Sequence, residues 1–323
     1  MTGPQVVVLG DACVDMVIRL PERRSGTPDM TNSAPQLHGG GSAANVAVAL
    51  ARLGVTVTMV GAVGDDGYGR WVRDDLVHEG VDVQGVCTIR DSFTPMVMAL
   101  VEPDGERLIV VWPSDGGANL QLEAEAITPA SMASAAWLHT TGMCLRRSPA
   151  REAVLYGMEL ARKADLTVSL DLNLRLESWS LGDATRKAFE RAIELSDVVF
   201  GNAEEEIMPL AGADSATAGA QYLCGGKRIV VARQGNKGAL VVTPQETFHA
   251  LAFQAQVVDS LGAGDAFDGG FITARLAKLD VREAAKWGNA VAALKIGQVS
   301  ARGLPSSEDL TEMLGQTNPI ITG

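Results

Sequence analysis

Short runs of branched apolar residues alternate with longer amphipathic or alanine-rich stretches along almost the whole chain, and this rhythm restricts the possible folds more than any single motif. The apolar runs fall at residues 6–9, 56–60, 136–139, 167–170, 198–200, 229–232 and 239–242. Between them, the 3.6-residue period predicts helices over 43–53, 69–79, 149–164, 183–195, 216–223, 265–278 and 281–295. Successive side chains of a strand point to opposite faces, so a run apolar at every position must be covered on both sides. Helices linking such strands supply that cover, which predicts an α/β fold with a mostly parallel central sheet. In sheets of this kind, ligands bind beyond the carboxyl ends of the strands.

One region breaks the rhythm. Residues 93–101 and 106–112 flank Pro103-Asp104-Gly105, a turn sequence between two apolar arms, and read as a β-hairpin. Residues 14–20 can add a strand beside it, and the proline-rich 21–35 stretch reads as a loop. This predicts a small sheet, drawn from about 14–37 and 91–113, inserted in a single domain spanning 1–323. Such a sheet can be a lid or an ordinary layer packed on the body.

Charge and composition narrow the partners. The net charge is −12 with no basic run, which argues against nucleic acid and anionic membrane surfaces. No apolar run approaches the ~20 residues needed to span a bilayer. The first residues, Met-Thr-Gly-Pro-Gln, lack a basic segment and a small-residue cleavage site, so the expected location is the cytoplasm. Cys13, Cys87, Cys144 and Cys224 are scattered without Cys-x-x-Cys spacing, and His38, His78, His139 and His249 lack ligand spacing. Reduced thiols and structural histidines are the expectation.

The chemistry concentrates in Asp259-Ser-Leu-Gly-Ala-Gly-Asp-Ala-Phe-Asp-Gly-Gly-Phe271. A glycine-rich turn follows an apolar run at 253–258 and leads into a helix, so consecutive backbone N–H groups after Leu261 can converge on an anion at the helix's positive end. Asp265 would stand beside that anion. In phosphoryl transfer such a carboxylate orients a hydroxyl and accepts its proton. Read more plainly, Asp265 is a helix-entry acid and the glycines form a tight turn.

A second glycine-rich turn, Gly39-Gly40-Gly41-Ser42-Ala43-Ala44-Asn45, also runs into a helix, followed by Gly61 and Gly64-Asp65-Asp66-Gly67-Tyr68-Gly69. Small residues let a backbone approach a polyhydroxylated ligand, and Asn45 offers both donor and acceptor. Four further strings follow predicted strands: Gly10-Asp11-Ala12-Cys13-Val14-Asp15, Asp171-Leu172-Asn173-Leu174-Arg175, Asn202-Ala203-Glu204-Glu205 and Arg233-Gln234-Gly235-Asn236-Lys237-Gly238. Read locally, Asp15 fits a loop cap, Arg175 a surface ion pair, Glu204 to Glu206 helix-entry acids, and the last string a hairpin turn.

In their order and spacing these strings resemble the two signatures and intervening motifs of the PfkB (ribokinase-like) carbohydrate kinases, over almost the whole chain. The motifs are most similar to fructokinases and 2-keto-3-deoxygluconate kinases. The resemblance implies a three-layer αβα sandwich with a small β-sheet lid that covers the sugar and often mediates dimerisation, hence a homodimer through the lid. It implies ATP-dependent phosphorylation of a primary hydroxyl, with Asp265 as base and Gly262, Ala263 and Gly264 forming the anion hole. Asp15, Gly40, Gly41, Asn45 and Arg175 would bind the acceptor, a keto-sugar or sugar acid. Asn202, Arg233, Gly235, Lys237, Gly238 and Asn289 would line the nucleotide site, with Glu205 holding Mg²⁺ through water. The segment carrying Gly303 and Pro305, with Asp259, would form a monovalent cation site for K⁺. Three positions depart from the pattern. Cys13 replaces an asparagine usual in ribokinases, which argues against ribose; Arg233 replaces a threonine of the nucleotide loop; and Leu261 replaces a threonine near the cation site. A nucleoside kinase and a non-catalytic sugar or nucleotide sensor are the alternative readings. Neither a Gly-x-x-x-x-Gly-Lys-Ser/Thr loop nor a Gly-x-Gly-x-x-Gly after the first strand is present.

Overall fold

A computed structural model describes residues 6–20, 34–102, 106–113 and 115–316. Thirteen strands run in order: β1 (Val6–Leu9), β2 (Cys13–Arg19), β3 (Gln36–Gly40), β4 (Val57–Gly64), β5 (Asp82–Ile89), β6 (Met96–Val101), β7 (Arg107–Trp112), β8 (Trp137–Thr141), β9 (Thr167–Asp171), β10 (Val198–Asn202), β11 (Ile229–Arg233), β12 (Ala239–Val242) and β13 (Thr247–Ala250). The helices are α1 (Ser42–Arg52), α2 (Gly67–His78), α3 (Pro129–Met132), α4 (Ala150–Lys163), α5 (Asp183–Leu195), α6 (Met208–Ala211), α7 (Ala216–Cys224), α8 (Ala263–Leu276), α9 (Val281–Ile296) and α10 (Ser307–Gln316).

The main sheet has the order β13-β12-β11-β10-β9-β8-β1-β4-β5. Its strands from β11 through β5 are parallel; β12 pairs antiparallel with both β11 and β13, so β12 alone runs against the rest. The expected α/β architecture is therefore the observed one. Its two faces carry separate cores, as strands apolar at every position require. Val6 and Val8 pack with α1, α2, α8 and α9 on one face, while Val7 and Leu9 pack with α4, α5 and α7 on the other. On the first face Phe271 is fully buried, edge-on to Phe200 at 5.2 Å. Truncating such a ring to alanine costs about 3–5 kcal/mol.

Two strands of this sheet escaped the sequence reading. β5 alternates polar and apolar residues, and half its positions are only partly buried, because it forms the sheet's edge. β13 lies at the opposite edge with exposed Thr247 and His249, whereas the apolar residues 253–258 form no strand.

The smaller sheet has the order β3-β2-β6-β7. Its hairpin arms β6 and β7 are those expected, as is β2, while the turn at 103–105 and the 21–33 part of the loop lie outside the described residues. β3 was not foreseen: the turn residues Gly39 and Gly40 continue a strand and pair with Val14 and Cys13. The pairing registers place Asp15 and Gly40 on one face of this sheet, and Leu37 and Trp112 on the other. That second face meets α2, where Leu37, Tyr68, Trp71, Phe93 and Trp112 line an apolar cavity of about 410 Å³. Asp66 caps α2 through the Gly69 amide at 2.7 Å and also accepts from the Thr94 amide at 2.8 Å, tying helix to hairpin.

Candidate active site

The carboxyl ends of β1, β8, β9, β10 and β11 all open towards one place, where the glycine-rich turns at 39–41 and 262–264 lie. At β1, the chain turns sharply at Gly10 and Asp11 follows. Asp11, buried, accepts from the amides of Ser42 at 2.9 Å and Ala43 at 3.3 Å, and from Thr141 Oγ1 at 3.0 Å. It thereby satisfies the first free amides of α1 and fixes that helix to β1 and β8. Gly41 stands at the helix entry with φ 92, and an added Cβ there would lie 2.7 Å from the Asp11 carbonyl and from Ala12 Cα. Only glycine fits.

α8 begins with Gly262 in the left-handed region, φ 80. The amides of Gly262, Gly264 and Asp265 donate to no acceptor among the described residues, whereas the Ala263 amide reaches the Ser260 carbonyl at 3.2 Å. Of the four amides from Gly262 to Asp265, three are thus left unsatisfied, and Ala263 is the exception. Unsatisfied amides at the positive end of a 14-residue helix suit a phosphoryl oxygen.

Asp265 occupies the first turn of α8, 8% exposed, and bridges to the start of α1. Its oxygens accept from Ser42 Oγ at 2.5 Å and Asn45 Nδ2 at 2.8 Å. Burial pushes its pKa up to about 6, against the two hydrogen bonds, which pull it down. Asn45 Oδ1 is buried without a partner, an acceptor left for a hydroxyl. The two signature turns, more than 200 residues apart, are joined by these contacts. Ser42 was not singled out from the sequence; the signal would have been its place at the first helical position after Gly41.

Asp15 on β2 faces the same region. Burial raises its pKa to about 7, Arg302 opposes this, and the charge of Asp265 adds to the rise. Cys13 Sγ approaches Asp15 Oδ1 at 3.7 Å. Gly40 leaves room for this carboxylate, since a Cβ there would fall 2.4 Å from an Asp15 oxygen and displace it.

Around Arg233, where β9, β10 and β11 end, the structure shows what the sequence did not. Its guanidinium donates to Asp171 at 2.6 Å and Asp268 at 2.9 Å, with Glu206 at 3.8 Å. Burial, and then the Asp171 charge, push Glu206 up to about 7, and burial raises Asp268 well above the usual carboxylate range. Glu206 and Asp268 are thus both pushed towards the protonated form, with Arg233 opposing. Arg233 was expected at the nucleotide; its side chain instead turns inwards, 2.9 Å from where a Gly264 Cβ would be, and backs the anion turn. The signal missed was Asp268, an acid three residues after Asp265 on an otherwise apolar helix face.

The remaining residues are spread around this centre. Arg175 is half exposed, 4.0 Å from Glu177, in a loop where both it and Asn173 adopt positive φ (51 and 39). Strained non-glycine backbone of this sort concentrates at ligand sites. Glu206 pins the loop by accepting from the Leu174 amide at 2.9 Å. Asn202 Oδ1 caps the following turn through the amides of Glu204 and Glu205, and Glu205 itself is exposed. Gly235, Lys237 and Gly238 form the β11–β12 turn, with Lys237 exposed, and Asn289 donates to the Ala250 carbonyl at 3.0 Å. No group of three His, Cys, Asp or Glu side chains among the described residues could hold a metal ion directly. No helix among them is long and apolar enough to cross a membrane.

A mostly parallel sheet with a smaller sheet beside it, and a helix end whose free amides adjoin a buried carboxylate, fit an enzyme of phosphoryl transfer. The description "pfkB family carbohydrate kinase" matches residues 4–308, and the chain belongs to that family. It is 31% identical over 317 residues to the 5-dehydro-2-deoxygluconokinase of Photobacterium profundum, covering 95% of this chain and 94% of that protein. It is 32% identical over 312 residues to the ATP-dependent ribose-1-phosphate kinase of Halopiger xanaduensis, covering 97% and 98%. A double-mutant fructokinase of Vibrio cholerae, solved with fructose, ADP and potassium ion bound, superposes with TM-score 0.82 at 31% identity, covering 97% of this chain and 99% of that one. The protein is thus a phosphotransferase that uses ATP to phosphorylate an alcohol group of a sugar or nucleoside.

Proposed function

We propose that the protein transfers the γ-phosphoryl group of ATP to a primary hydroxyl of a small keto-sugar or keto-deoxy sugar acid, with Asp265 as base. One observation carries this: a buried carboxylate, poised near pH 6, stands at the head of α8 beside three unsatisfied amides. The acceptor hydroxyl binds Asp265 Oδ, which orients it and takes its proton late in a loose transition state. The amides of Gly262, Gly264 and Asp265 hold the transferring oxygens, and Arg233 lends positive charge from behind Gly264. Asp15 receives two acceptor hydroxyls, Asn45 Oδ1 a donor, and the bare backbone of Gly40 and Gly41 admits the ring. Arg175 reaches from the strained loop for a carboxylate or a phosphate.

The nucleotide lies over the β11–β12 turn, with Gly235 and Gly238 admitting phosphates, Lys237 offsetting charge, and Asn202 and Asn289 at its borders. A Mg²⁺ ion, held mainly by the triphosphate and through water by Glu205, neutralises charge on the transferring group. The sugar-acid preference draws on the Photobacterium relative and on the Asp-x-Asn-x-Arg string. The Halopiger relative favours a second reading, a ribose phosphate or riboside as acceptor. Exposed apolar residues along the lid edge support a homodimer.

The test is ADP release over a panel of keto-deoxy acids, ketohexoses, pentoses, ribose 1-phosphate and nucleosides, with Asp265→Asn alongside. A keto-deoxy acid or ketohexose should give the highest kcat/KM, and the variant should lose about 10² or more in kcat. Full turnover by Asp265→Asn would refute the assigned base. A ribosyl acceptor at the top of the panel would replace the sugar-acid reading.

A further inference from the structure

Lys295, in the last turn of α9, is 0% exposed, which is rare for a lysine and normally requires a fixed partner. Its Nζ donates to the carbonyl of Asp259 at 2.7 Å. The rest of Asp259 is held as well. Its amide donates to the Ile296 carbonyl at 3.1 Å, Oδ1 accepts from the Leu261 amide at 3.1 Å, and Oδ2 accepts from the Ser300 amide at 3.2 Å. Three residues further on is Gly262, whose missing Cβ would lie 3.1 Å from Ala301. The end of α9 and the loop after it therefore clamp the strap that delivers the anion turn. Burial pulls the Lys295 pKa down, while the charges of Asp259 and Asp265 pull it up.

Asp259 was expected to help bind K⁺. This carbonyl already meets an ammonium at 2.7 Å, and a K⁺ ion at the same oxygen would be repelled by that charge. The residues present do not fit a K⁺ ion at Asp259. An ammonium is a compact single charge with three donors, able to serve in an ion's place where it can be desolvated.

We propose that the Lys295 ammonium is a built-in monovalent cation that holds the Asp259 strap and positions the anion turn, so that turnover needs no soluble K⁺. Lys295 is thus a positioning residue, acting through Asp259 and Gly262. The inference rests on the kinase reading above for its kinetic arm only.

The experiment compares wild type and Lys295→Ala in KCl and in tetramethylammonium chloride at equal ionic strength, following kcat, KM for the acceptor, and Tm. Wild type should give the same kcat and Tm in both salts. Lys295→Ala, which removes the charge and leaves room for an ion, should lose about tenfold to a hundredfold in kcat with KM little changed. K⁺ should restore part of that rate and raise the variant's Tm by binding the folded state. A several-fold stimulation of wild type by K⁺ would overturn the proposal, as would a variant with full rate in tetramethylammonium. A lost rate that K⁺ leaves unrestored would also overturn it, because the lysine would then act by packing alone. If wild type phosphorylates no acceptor, the Tm arm decides: a K⁺-dependent rise in the variant alone supports the proposal, and a rise in wild type or in neither overturns it. Should the variant not fold, the salt response of wild type decides by itself.

Discussion

At the scale of single residues, the proposed base Asp265 shows how opposing effects set the pKa of a buried carboxylate. The positive end of α8 and the donors Ser42 and Asn45 stabilise its charge, but burial outweighs them and leaves it at about 6. Asp15 is raised further, to about 7, for the same reason. In the proposed reaction both groups work ionised, Asp265 as proton acceptor and Asp15 as acceptor of hydroxyl hydrogen bonds. As pH falls through 7 and then 6 each is protonated, so kcat/KM should fall on the acid side across that window. A pH–rate profile checks this, and an acid limb near 4 would mean that neither group titrates as described. Asp265 was legible in the sequence because its turn is a contiguous string. Arg233 was misread as a nucleotide contact because Asp171, Glu206 and Asp268, which capture it, come from three distant segments.

At the scale of elements, α8 is a wedge. Its Gly269 faces α1, where an added Cβ would fall 2.6 Å from Ala49 Cβ, and its Gly270 faces α9 at the Trp287 carbonyl, 2.9 Å away. Two adjacent glycines within a helix cost about 1 kcal/mol each in propensity. Gly269 lets α1 and α8 come close enough for Asn45 and Ser42 to reach Asp265, and Gly270 lets α9 pack closely on α8. Replacing Gly269 by alanine therefore sets a propensity gain of up to ~1 kcal/mol against overpacking of about 1–3 kcal/mol, and the second should win. Urea denaturation should show a loss of stability, and kcat should fall as the helices part. An unchanged kcat would show that the α1–α8 spacing does not set the base. The sequence predicted both helices to within a few residues, yet nothing in either one discloses that they touch.

At the scale of the whole molecule, helices cover both faces of the main sheet, but the smaller sheet is left open along β7. β7 is an edge strand, and Leu108, Ile109, Val111 and Trp112 on it are 44–62% exposed, alternating between both faces. Open apolar edges invite pairing with another strand. In the proposed homodimer this edge meets a second copy, so Ile109→Lys with Val111→Lys should shift sedimentation from dimer to monomer while leaving Tm of the body nearly unchanged. A wild-type protein that sediments as a monomer at micromolar concentration would remove that partner. By itself, the sequence determined the α/β architecture, the hairpin and the glycine turn ahead of Asp265, because periodicity and turn chemistry act over a few neighbouring residues. Only the tertiary structure decided that Asp265 is held from α1, that Arg233 turns inwards, that Gly39 and Gly40 belong to a strand, and that Lys295 meets Asp259. Those are contacts between segments far apart in the chain, created by burial and strand register, and no local pattern encodes which buried charge finds which partner.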